Sequence, residues 1–268
     1  MNLTAYPRLP QSWKNHYPFR LACPSFVYPA DYDVNVDLLG PFVDDIELLF
    51  FEARPAVSPE RALIRRLKDL GARHAVGYLT HLPTDSLLFD TDPDRRRTAI
   101  DELAGLRQLL APLQPAYDIL HLEMDGGRRP TVRDRGQWEQ GVIEGLARLA
   151  DAGIDLSRLR IENQSAPLEW IAPVLETFDL RLCPHIGHLA LSGQDLERAI
   201  ARWHARIDAT HVHGVHNGRD HHSLDCLSMR DQAVLQDFLR SFDGSVCVEI
   251  FDFEALATSL RRLAQWMR

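Results

Sequence analysis

Residues 117–163 carry the pattern that decides the fold, because they contain YDILHLE (117–123), GQWEQGVIEGLARLA (136–150) and LRIEN (159–163) in that order. The first and third segments are short apolar runs of the kind that form buried parallel strands. The middle segment has the period of a helix and is followed by Gly153, a residue type that commonly closes the last helical turn. These residues therefore predict one strand–helix–strand unit.

The same alternation extends along the chain in both directions. Strands are predicted at residues 19–27, 45–51, 74–82, 117–123, 159–163, 180–183, 207–215 and 246–251. Helices are predicted at residues 59–70, 93–110, 136–150, 167–177, 194–204, 229–241 and 254–267. Eight strands with helices between most of them predict an α/β fold, a single (β/α)8 TIM barrel. The alternative is an open doubly wound sheet. It would usually have a glycine-rich turn after its first strand, and residues 22–29 contain none.

Length and composition agree with one globular unit. No linker-like segment or internal repeat interrupts the alternation, so we interpret residues 1–268 as one domain with residues 1–18 as an N-terminal extension. Hydrophobic residues make up 45% of the chain and charged residues 25%, and these values exclude a largely disordered protein. The net charge of −8 argues against a nucleic-acid partner, because phosphate binding usually needs a positive surface.

The chain also carries indications of its location. No window approaches the roughly 18 uninterrupted apolar residues of a membrane span, so no membrane partner is expected. Residues 1–13 lack the basic and apolar regions of a secretory signal. The four cysteines are far apart and form no CxxC pair, which is typical of a reducing compartment. We expect a cytoplasmic protein.

Histidine is concentrated where the predicted strands end. Nine of the twelve histidines lie at the carboxyl end of a predicted strand or in the loop after it: His81, His121, His185, His188, His211, His213, His216, His221 and His222. Acidic residues accompany them: Glu123, Glu162, Asp220 and Glu249. All strand ends of a barrel open onto one face, so these side chains are predicted to converge there. Imidazole nitrogen and carboxylate oxygen together suit Zn²⁺, and also Mn²⁺ or Fe²⁺.

Several other residues have more than one interpretation. Cys183 precedes His185 and is either a thiol nucleophile or, more commonly, a buried strand residue. A serine hydrolase is disfavoured because no GxSxG motif occurs. Glu52 is expected near the mouth, whereas Glu47 is expected to pair with an arginine inside the rim. Residues 220–222 are either a solvated polar turn or part of the site. Four apolar residues are candidates to pack against a substrate ring or to anchor loops: Phe26, Tyr28, Phe89 and Trp138.

The order of these motifs resembles the metal ligands of the endonuclease IV and xylose-isomerase-like barrel superfamily. The matching segments are THLP, LHLE, IENQ, HIGH, THVHG, DHHSL and VEIF, which together span residues 80–251. Within that superfamily the chain is most similar to the CbiR-type cobamide-remodelling phosphodiesterases. That likeness is carried by SFVYPADYDVN (25–35), IELLFFE (46–52), HLPTD (81–85), HVHG (211–214) and DHHSL (220–224).

The resemblance implies up to three divalent metal ions, with Zn²⁺ favoured and Mn²⁺ or Fe²⁺ as alternatives. His81 and His121 would bind the first ion, and Glu162 would bridge to a second ion that is also held by His185, His211 and Glu249. A third ion would be held by His188, Asp220 and His221, with His222 as the alternative to His221. The superfamily usually has aspartate at position 185. This chain has His185, which removes a negative charge and a possible bridging oxygen.

The resemblance further implies the activity. The reaction is hydrolysis of the nucleotide-loop phosphodiester of a cobamide such as cobalamin, which gives cobinamide phosphate and α-ribazole. The candidates to accept a proton from water are Glu162, Glu249 and Glu123. A small-molecule cobamide is the expected partner. Three rival functions stay open: an abasic-site endonuclease, a sugar isomerase or epimerase, and a cobamide-binding protein without catalysis. An isomerase would commonly place a lysine near the metal, and neither Lys14 nor Lys68 follows a mid-barrel strand.

Overall fold

A computed structural model describes residues 6–52, 59–86, 88–90, 92–122, 135–163 and 167–268. Eight parallel strands form a ring, and two short strands form a separate hairpin. The ten strands in chain order are β1 (Arg20–Pro24), β2 (Asp45–Leu49), β3 (Gly77–His81), β4 (Asp118–His121), β5 (Leu159–Glu162), β6 (Arg181–Cys183), β7 (Ala209–Val212), β8 (Gly214–His216), β9 (Arg219–His222) and β10 (Ser245–Val248).

The ring is closed around its whole circumference. Hydrogen-bonded neighbours follow the order β6-β5-β4-β3-β2-β1-β10-β7. Two isolated parallel bridges, Leu182–Ile207 and His185–His211, join the β6 and β7 ends of this series. The antiparallel pair β8–β9 lies outside the ring. The predicted TIM barrel is therefore confirmed, with all eight barrel strands parallel.

Helices surround the ring, as the predicted alternation requires. They are α1 (Tyr32–Leu39), α2 (Arg61–His74), α3 (Pro93–Leu110), α4 (Arg135–Asp151), α5 (Leu168–Phe178), α6 (Ile186–Leu191), α7 (Leu196–Trp203), α8 (Met229–Ser241) and α9 (Phe253–Trp266). In α2, Ile64, Leu67 and Leu70 are buried, and this apolar stripe at helical spacing faces the core. Among the described residues, no helix has both the length and the apolar character that a bilayer crossing needs.

Four elements differ from the sequence prediction. Helices α1 and α6 were not predicted, because eight and six residues give too few turns for a clear period. The strand predicted at 207–215 divides into β7 and β8. The second part, β8, begins at Gly214. Its backbone passes so close to Ser223 that a Cβ atom at this position would lie 1.8 Å from the Ser223 carbonyl oxygen. Residues 220–222 belong to β9 rather than to a solvated turn.

Residues 13 and 14 of the segment before β1 pack against the amino-terminal end of the barrel, whereas the Tyr28 hydroxyl in the loop after β1 donates a hydrogen bond to the carbonyl oxygen of Pro7 (2.8 Å). Leu9 and Trp13 are buried in the hydrophobic core. The Lys14 ammonium donates hydrogen bonds to the carbonyl oxygens of Gly40 (2.8 Å) and Ala75 (3.0 Å). These contacts lie at the end of the barrel opposite the mouth, which leaves the carboxyl ends of the strands free to form a site.

One buried amide orders the loop that follows β1. Asn35 on α1 accepts hydrogen bonds from the backbone amides of Val27 (3.0 Å) and Tyr28 (2.8 Å). Its own amide group donates to the carbonyl oxygens of Tyr28 (3.2 Å) and Ala30 (3.0 Å). Because this loop contains Phe26, Asn35 fixes part of the barrel mouth.

Asn35→Ala is expected to lower the free energy of unfolding by about 2–4 kcal/mol, because it leaves several buried backbone groups without a partner. Urea unfolding measures the change. Asp33→Ala on the same helix is the control: its partner Arg66 is largely exposed, so this ion pair (2.9 Å) contributes less than about 1 kcal/mol. Equal losses in the two variants would contradict the structural role of the Asn35 amide.

Candidate metal centre

The carboxyl ends of five barrel strands bring histidines and glutamates into one cavity. His81 ends β3, His121 ends β4 and Glu162 ends β5, while His211 lies on β7 and Glu249 directly follows β10. We call these five residues the inner cluster. The sheet register places His121 beside Glu162 on the neighbouring strand. All five side chains are buried, so their polar atoms depend on one another rather than on bulk water.

The ligand atoms of the inner cluster lie at short and similar separations. Glu162 Oε2 is 3.3 Å from His81 Nε2, 3.1 Å from His121 Nε2 and 3.2 Å from His211 Nδ1. Glu249 Oε2 is 3.2 Å from His211 Nδ1. Glu162 belongs to two groups of potential ligands, one with His81 and His121 and another with His185, His211 and Glu249. This is the bridging position that the resemblance assigns to Glu162.

The separations of these atoms, and their lack of hydrogen-bond partners, fit a shared metal ion better than a hydrogen-bond network. Within the described part of the chain, five nitrogen and oxygen atoms of the inner cluster are buried without a hydrogen-bond partner: His121 Nδ1, His121 Nε2, Glu162 Oε2, His211 Nδ1 and Glu249 Oε2. Ligands at 2.0–2.1 Å from a tetrahedral ion lie about 3.3 Å from each other, close to the separations observed. Native proteins rarely leave buried polar atoms unpaired. The inner cluster can therefore hold divalent metal ions.

Outer hydrogen bonds orient two of the imidazole rings. His211 Nε2 lies 3.0 Å from Glu47 Oε2 across the barrel interior, which turns Nδ1 toward Glu162 and Glu249. His81 Nδ1 lies 3.0 Å from the carbonyl oxygen of Leu82, which leaves Nε2 facing the cluster. Histidines that bind metals usually donate their second N–H to such partners. The expectation that Glu47 pairs with an arginine is wrong, because its partner is His211.

The charges inside the barrel are balanced between carboxylates and imidazoles. Burial would raise the pKa of Glu162, but the charges on His121, His185 and His211 outweigh it and hold the pKa well below its usual value. The same opposition lowers the pKa of Glu249. Burial lowers the pKa of His81, and Glu162 and the other buried glutamates more than offset this, raising it to about 9. Both carboxylates therefore stay ionised and need a positive charge beside them.

A second group of imidazoles, nearer the rim, forms the outer cluster, which consists of His185, His188, His213 and His221. One ligand atom from each lies within 4.8 Å of the others. Asp220 borders this cluster, with Oδ2 at 3.3 Å from His188 Nε2 and Oδ1 at 3.2 Å from His221 Nδ1. Burial, together with the charge of His185, lowers the pKa of His188 to about 4. Burial, His185 and His221 lower the pKa of His213 to about 2. Both rings are neutral at pH 7.

The outer cluster differs in membership from the predicted third site. His188, Asp220 and His221 come together as predicted, but His213 joins them although the predicted ligand set does not contain it. One sequence feature could have indicated His213. It lies two residues after His211 in the predicted strand, and this spacing puts both side chains on the same face of a strand. His222 lies instead against His216, with ring centroids 5.6 Å apart. His185 lies between the clusters, with Nδ1 contacting Glu162 Oε1 and Nε2 at 3.1 Å from Glu249 Oε2.

Two further candidates from the sequence have different outcomes. Glu123 lies outside the described residues, so its role as a proton acceptor stays a prediction. Cys183 is buried on β6, and burial raises the pKa of its thiol to about 11 although His211 partly opposes this. A thiol that keeps its proton at neutral pH is not an activated nucleophile, which agrees with the interpretation of Cys183 as a strand residue.

The mouth exposes fewer aromatic rings than the four predicted candidates. Tyr28, Phe89 and Trp138 are buried in the hydrophobic core, so they anchor loops. Phe26 is 44% exposed, and it packs edge to face on Phe51, which is 46% exposed, with ring centroids 5.4 Å apart. Phe51 was not predicted. These two rings follow β1 and β2 and form an apolar surface at the carboxyl end of the barrel.

Comparison with known proteins gives the same fold. No protein-family model matches the sequence. The structure of a D-tagatose 3-epimerase-like protein superposes with a TM-score of 0.74 at 16% identity, over 93% of this chain and 97% of that chain. A D-psicose 3-epimerase from Clostridium cellulolyticum H10 gives 0.71 at 14% identity, over 93% and 98%. A family 2 AP endonuclease from Brucella melitensis gives 0.65 at 17% identity, over 92% and 98%. The chain therefore shares the TIM barrel fold of these proteins.

His121→Ala is expected to remove at least one equivalent of bound metal, because Glu162 Oε2 loses one of its neighbouring nitrogen ligands. Metal analysis of the purified protein by mass spectrometry measures the stoichiometry. His16→Ala is the control, since His16 is exposed and distant from the mouth in the sequence pattern. Wild-type metal content in His121→Ala would mean that His121 is not a ligand.

Removal of metal is expected to destabilise the fold. An ion present at 100 times its dissociation constant stabilises the native state by about 2.7 kcal/mol. For a protein of this size that corresponds to a Tm about 5–10 °C lower after dialysis against a chelator. The double variant His81→Ala/His121→Ala should respond less to the chelator, because it lacks the ion held by these two residues and keeps only the other ligand groups. The same response in both proteins would place the stabilising ion elsewhere.

Proposed function

We propose that this protein is a metal-dependent phosphodiesterase that hydrolyses the nucleotide-loop phosphodiester of cobamides, giving cobinamide phosphate and α-ribazole. One observation carries the proposal: a single buried carboxylate, Glu162, is shared by two groups of potential metal ligands. Sites that hold two ions about 3.5–4 Å apart are common in enzymes that cleave phosphodiesters. The cobamide substrate is proposed because the sequence motifs resemble those of the CbiR-type phosphodiesterases.

Zn²⁺ is the proposed metal, because nitrogen ligands outnumber oxygen ligands in both clusters. Bound divalent ions would lower the pKa of a water molecule and offset the charge of the phosphodiester. Glu162 and Glu249 act as ligands, and the low pKa values of both make them poor proton acceptors. Glu123, two residues after His121, is the proposed acceptor of the water proton.

Sugar epimerisation is the main alternative, since epimerases share the fold. Proton transfer at a sugar carbon needs bases that are free to gain and lose protons. In this chain the two inner glutamates are held in their ionised form among imidazoles. Lys14 binds backbone carbonyl groups at the amino-terminal end of the barrel, and Lys68 lies on α2. Neither lysine contacts the metal centre, so the isomerase mechanism that uses a lysine is disfavoured.

The mouth favours a substrate with an apolar face. The exposed pair Phe26 and Phe51 offers two ring surfaces at the entrance to the clusters. Flat aromatic or macrocyclic groups pack well on such rings. The benzimidazole and corrin parts of a cobamide have such faces, whereas a small sugar has a surface dominated by hydroxyl groups. DNA, the substrate class of an abasic-site endonuclease, is disfavoured because most of its phosphates would lie beyond the local field of ions at the mouth, beside a chain whose net charge is −8.

Incubation of metal-loaded protein with adenosylcobalamin is expected to yield α-ribazole and a corrinoid that ends in a phosphate, identified by mass. His121→Ala should reduce the rate about 100-fold or more, because loss of several kcal/mol of transition-state stabilisation reduces the rate by that factor. DNA with an abasic site and D-tagatose serve as alternative substrates. Intact cobamide with every metal tested would refute the proposal. Tight cobamide binding without turnover would indicate the non-catalytic alternative.

Phe26→Ala is expected to raise KM for the cobamide about 5–30-fold with little change in kcat, because an aromatic contact is worth about 1–2 kcal/mol in ground and transition states alike. Steady-state kinetics measure both constants. Met229→Ala is the control, since Met229 is also an exposed apolar residue but lies on α8. An unchanged KM in Phe26→Ala would remove the aromatic pair from the binding surface.

A further inference from the structure

The outer cluster contains more nitrogen ligands than the resemblance predicts. The implied third site has two histidines and an aspartate, and the implied second site includes residue 185. In the structure, four imidazoles from three separate segments meet: His185, His188, His213 and His221. Three of their nitrogen atoms, His185 Nε2, His188 Nε2 and His213 Nε2, are buried without a hydrogen-bond partner among the described residues.

We propose that the outer cluster is a four-imidazole metal site, in which His185 and His213 are ligands and Asp220 is an outer partner. The site takes a divalent ion that prefers nitrogen, such as Zn²⁺, Co²⁺ or Ni²⁺, in preference to Mn²⁺ or Mg²⁺. The inference rests on the proposed function, since both place metal at the barrel mouth. It adds to the proposed function the ligands of one metal site and the kind of ion that this site prefers.

The second ring nitrogen of His185 explains why this residue belongs to the outer cluster. His185 Nδ1 hydrogen-bonds to Glu162 Oε1, which leaves Nε2 to bind an ion; Nε2 lies 3.1 Å from Glu249 Oε2 and has no hydrogen-bond partner among the described residues. The His185 ring stacks on His188 with centroids 3.9 Å apart and packs edge to face on His213 at 4.6 Å. Glu162 thus serves as the carboxylate that orients a histidine ligand, the usual outer partner of metal-binding imidazoles.

His213 also has one ring nitrogen in a hydrogen bond and the other available to bind an ion, but the groups that contact its Nδ1 belong to the backbone. Its Nδ1 lies 2.8 Å from the carbonyl oxygen of Gly214, to which a protonated Nδ1 donates. It also lies 3.0 Å from the amide nitrogen of His221, whose N–H donates to Nδ1 only when Nδ1 carries no proton. Coordination through Nε2 selects the tautomer in which Nδ1–H donates to Gly214. The ring lies directly over Gly187, where a Cβ atom would come within 1.9 Å of it. Only glycine at position 187 leaves room for this ring.

The hairpin directs the fourth imidazole inward. The register of β8 and β9 shifts between Gly214 and His216, and bulges of this kind change the direction in which a side chain points. His221 has a positive φ of 55°, a conformation that is uncommon outside glycine. Its ring lies 4.4 Å from His213, whereas the next residue, His222, packs on His216 outside the cluster. The backbone therefore places His221, and not His222, in the outer cluster.

Metal titration of a variant that lacks the inner site tests the assignment. In His81→Ala/His121→Ala/His211→Ala, which removes a ligand from both inner ligand groups, the residual tight Zn²⁺ equivalent is expected at the outer cluster. A tenfold excess of Mn²⁺ should leave it bound. X-ray absorption at the zinc edge should show scattering from four imidazole rings. In this background, adding His213→Gln or His213→Ala should weaken Zn²⁺ binding more than the roughly 10–100-fold loss that removal of an outer partner causes.

Matched variants separate this assignment from the Asp220-containing site. Asp220→Asn should weaken Zn²⁺ binding by no more than about 100-fold, because Asp220 lies outside the group of four ligand atoms and orients His221 through Nδ1, 3.2 Å from Asp220 Oδ1. His222→Ala should bind Zn²⁺ as the parent does. Circular dichroism and Tm confirm the fold of each variant. The inference is overturned if His213→Gln keeps parental affinity, or if Asp220→Asn loses more affinity than His213→Gln. Zinc stoichiometry is measured without cobamide, so failure of turnover alone refutes the proposed function and leaves this assignment standing.

Discussion

The site depends on two carboxylates that the barrel holds away from water. Glu162 and Glu249 lie at the carboxyl ends of β5 and β10, where the barrel encloses them. An ionised carboxylate in such surroundings is very unfavourable unless positive charge lies beside it. The surrounding imidazoles supply part of that charge in the protein itself, and bound ions would supply it more completely. Removal of the histidines would therefore affect the stability of the barrel as well as its chemistry.

The barrel converts distant sequence positions into one coordination sphere. Each inner ligand ends or directly follows a different strand, except His211, which lies within β7. Because parallel strands all end on the same face, a strand-end residue needs no long loop to reach the centre. The rigid sheet also explains how Glu47, on β2, reaches His211 across the interior. The outer cluster is different, since its members lie just before α6, on α6, on the segment after β7 and on a hairpin.

This difference explains how much the sequence could predict. The alternation of strands and helices was sufficient to predict the TIM barrel. The rule that parallel strands all end on one face was sufficient to predict that five residues would meet: His81, His121, Glu162, His211 and Glu249. It was insufficient where local backbone geometry decides the outcome, as at His221 and His222. Adjacent residues of a regular strand point to opposite sides, and a register shift changes which of them faces the site. The burial of Tyr28 and Phe89 depends on where their loops turn, and periodicity contains no information on that point.

The histidine at position 185 gives the site a different charge from that of a barrel with aspartate there. An imidazole contributes no negative charge when it binds an ion, so the same number of divalent ions leaves the mouth more positive by one unit. A phosphodiester is an anion, and a more positive mouth binds it more strongly at the partly buried positions that salt screens least. The loss of a possible bridging oxygen is offset because Glu162 already joins two ligand groups. The exchange therefore suits an anionic substrate, and the net acidity of the chain does not oppose it, since the local field at the mouth is set by the ions and their ligands.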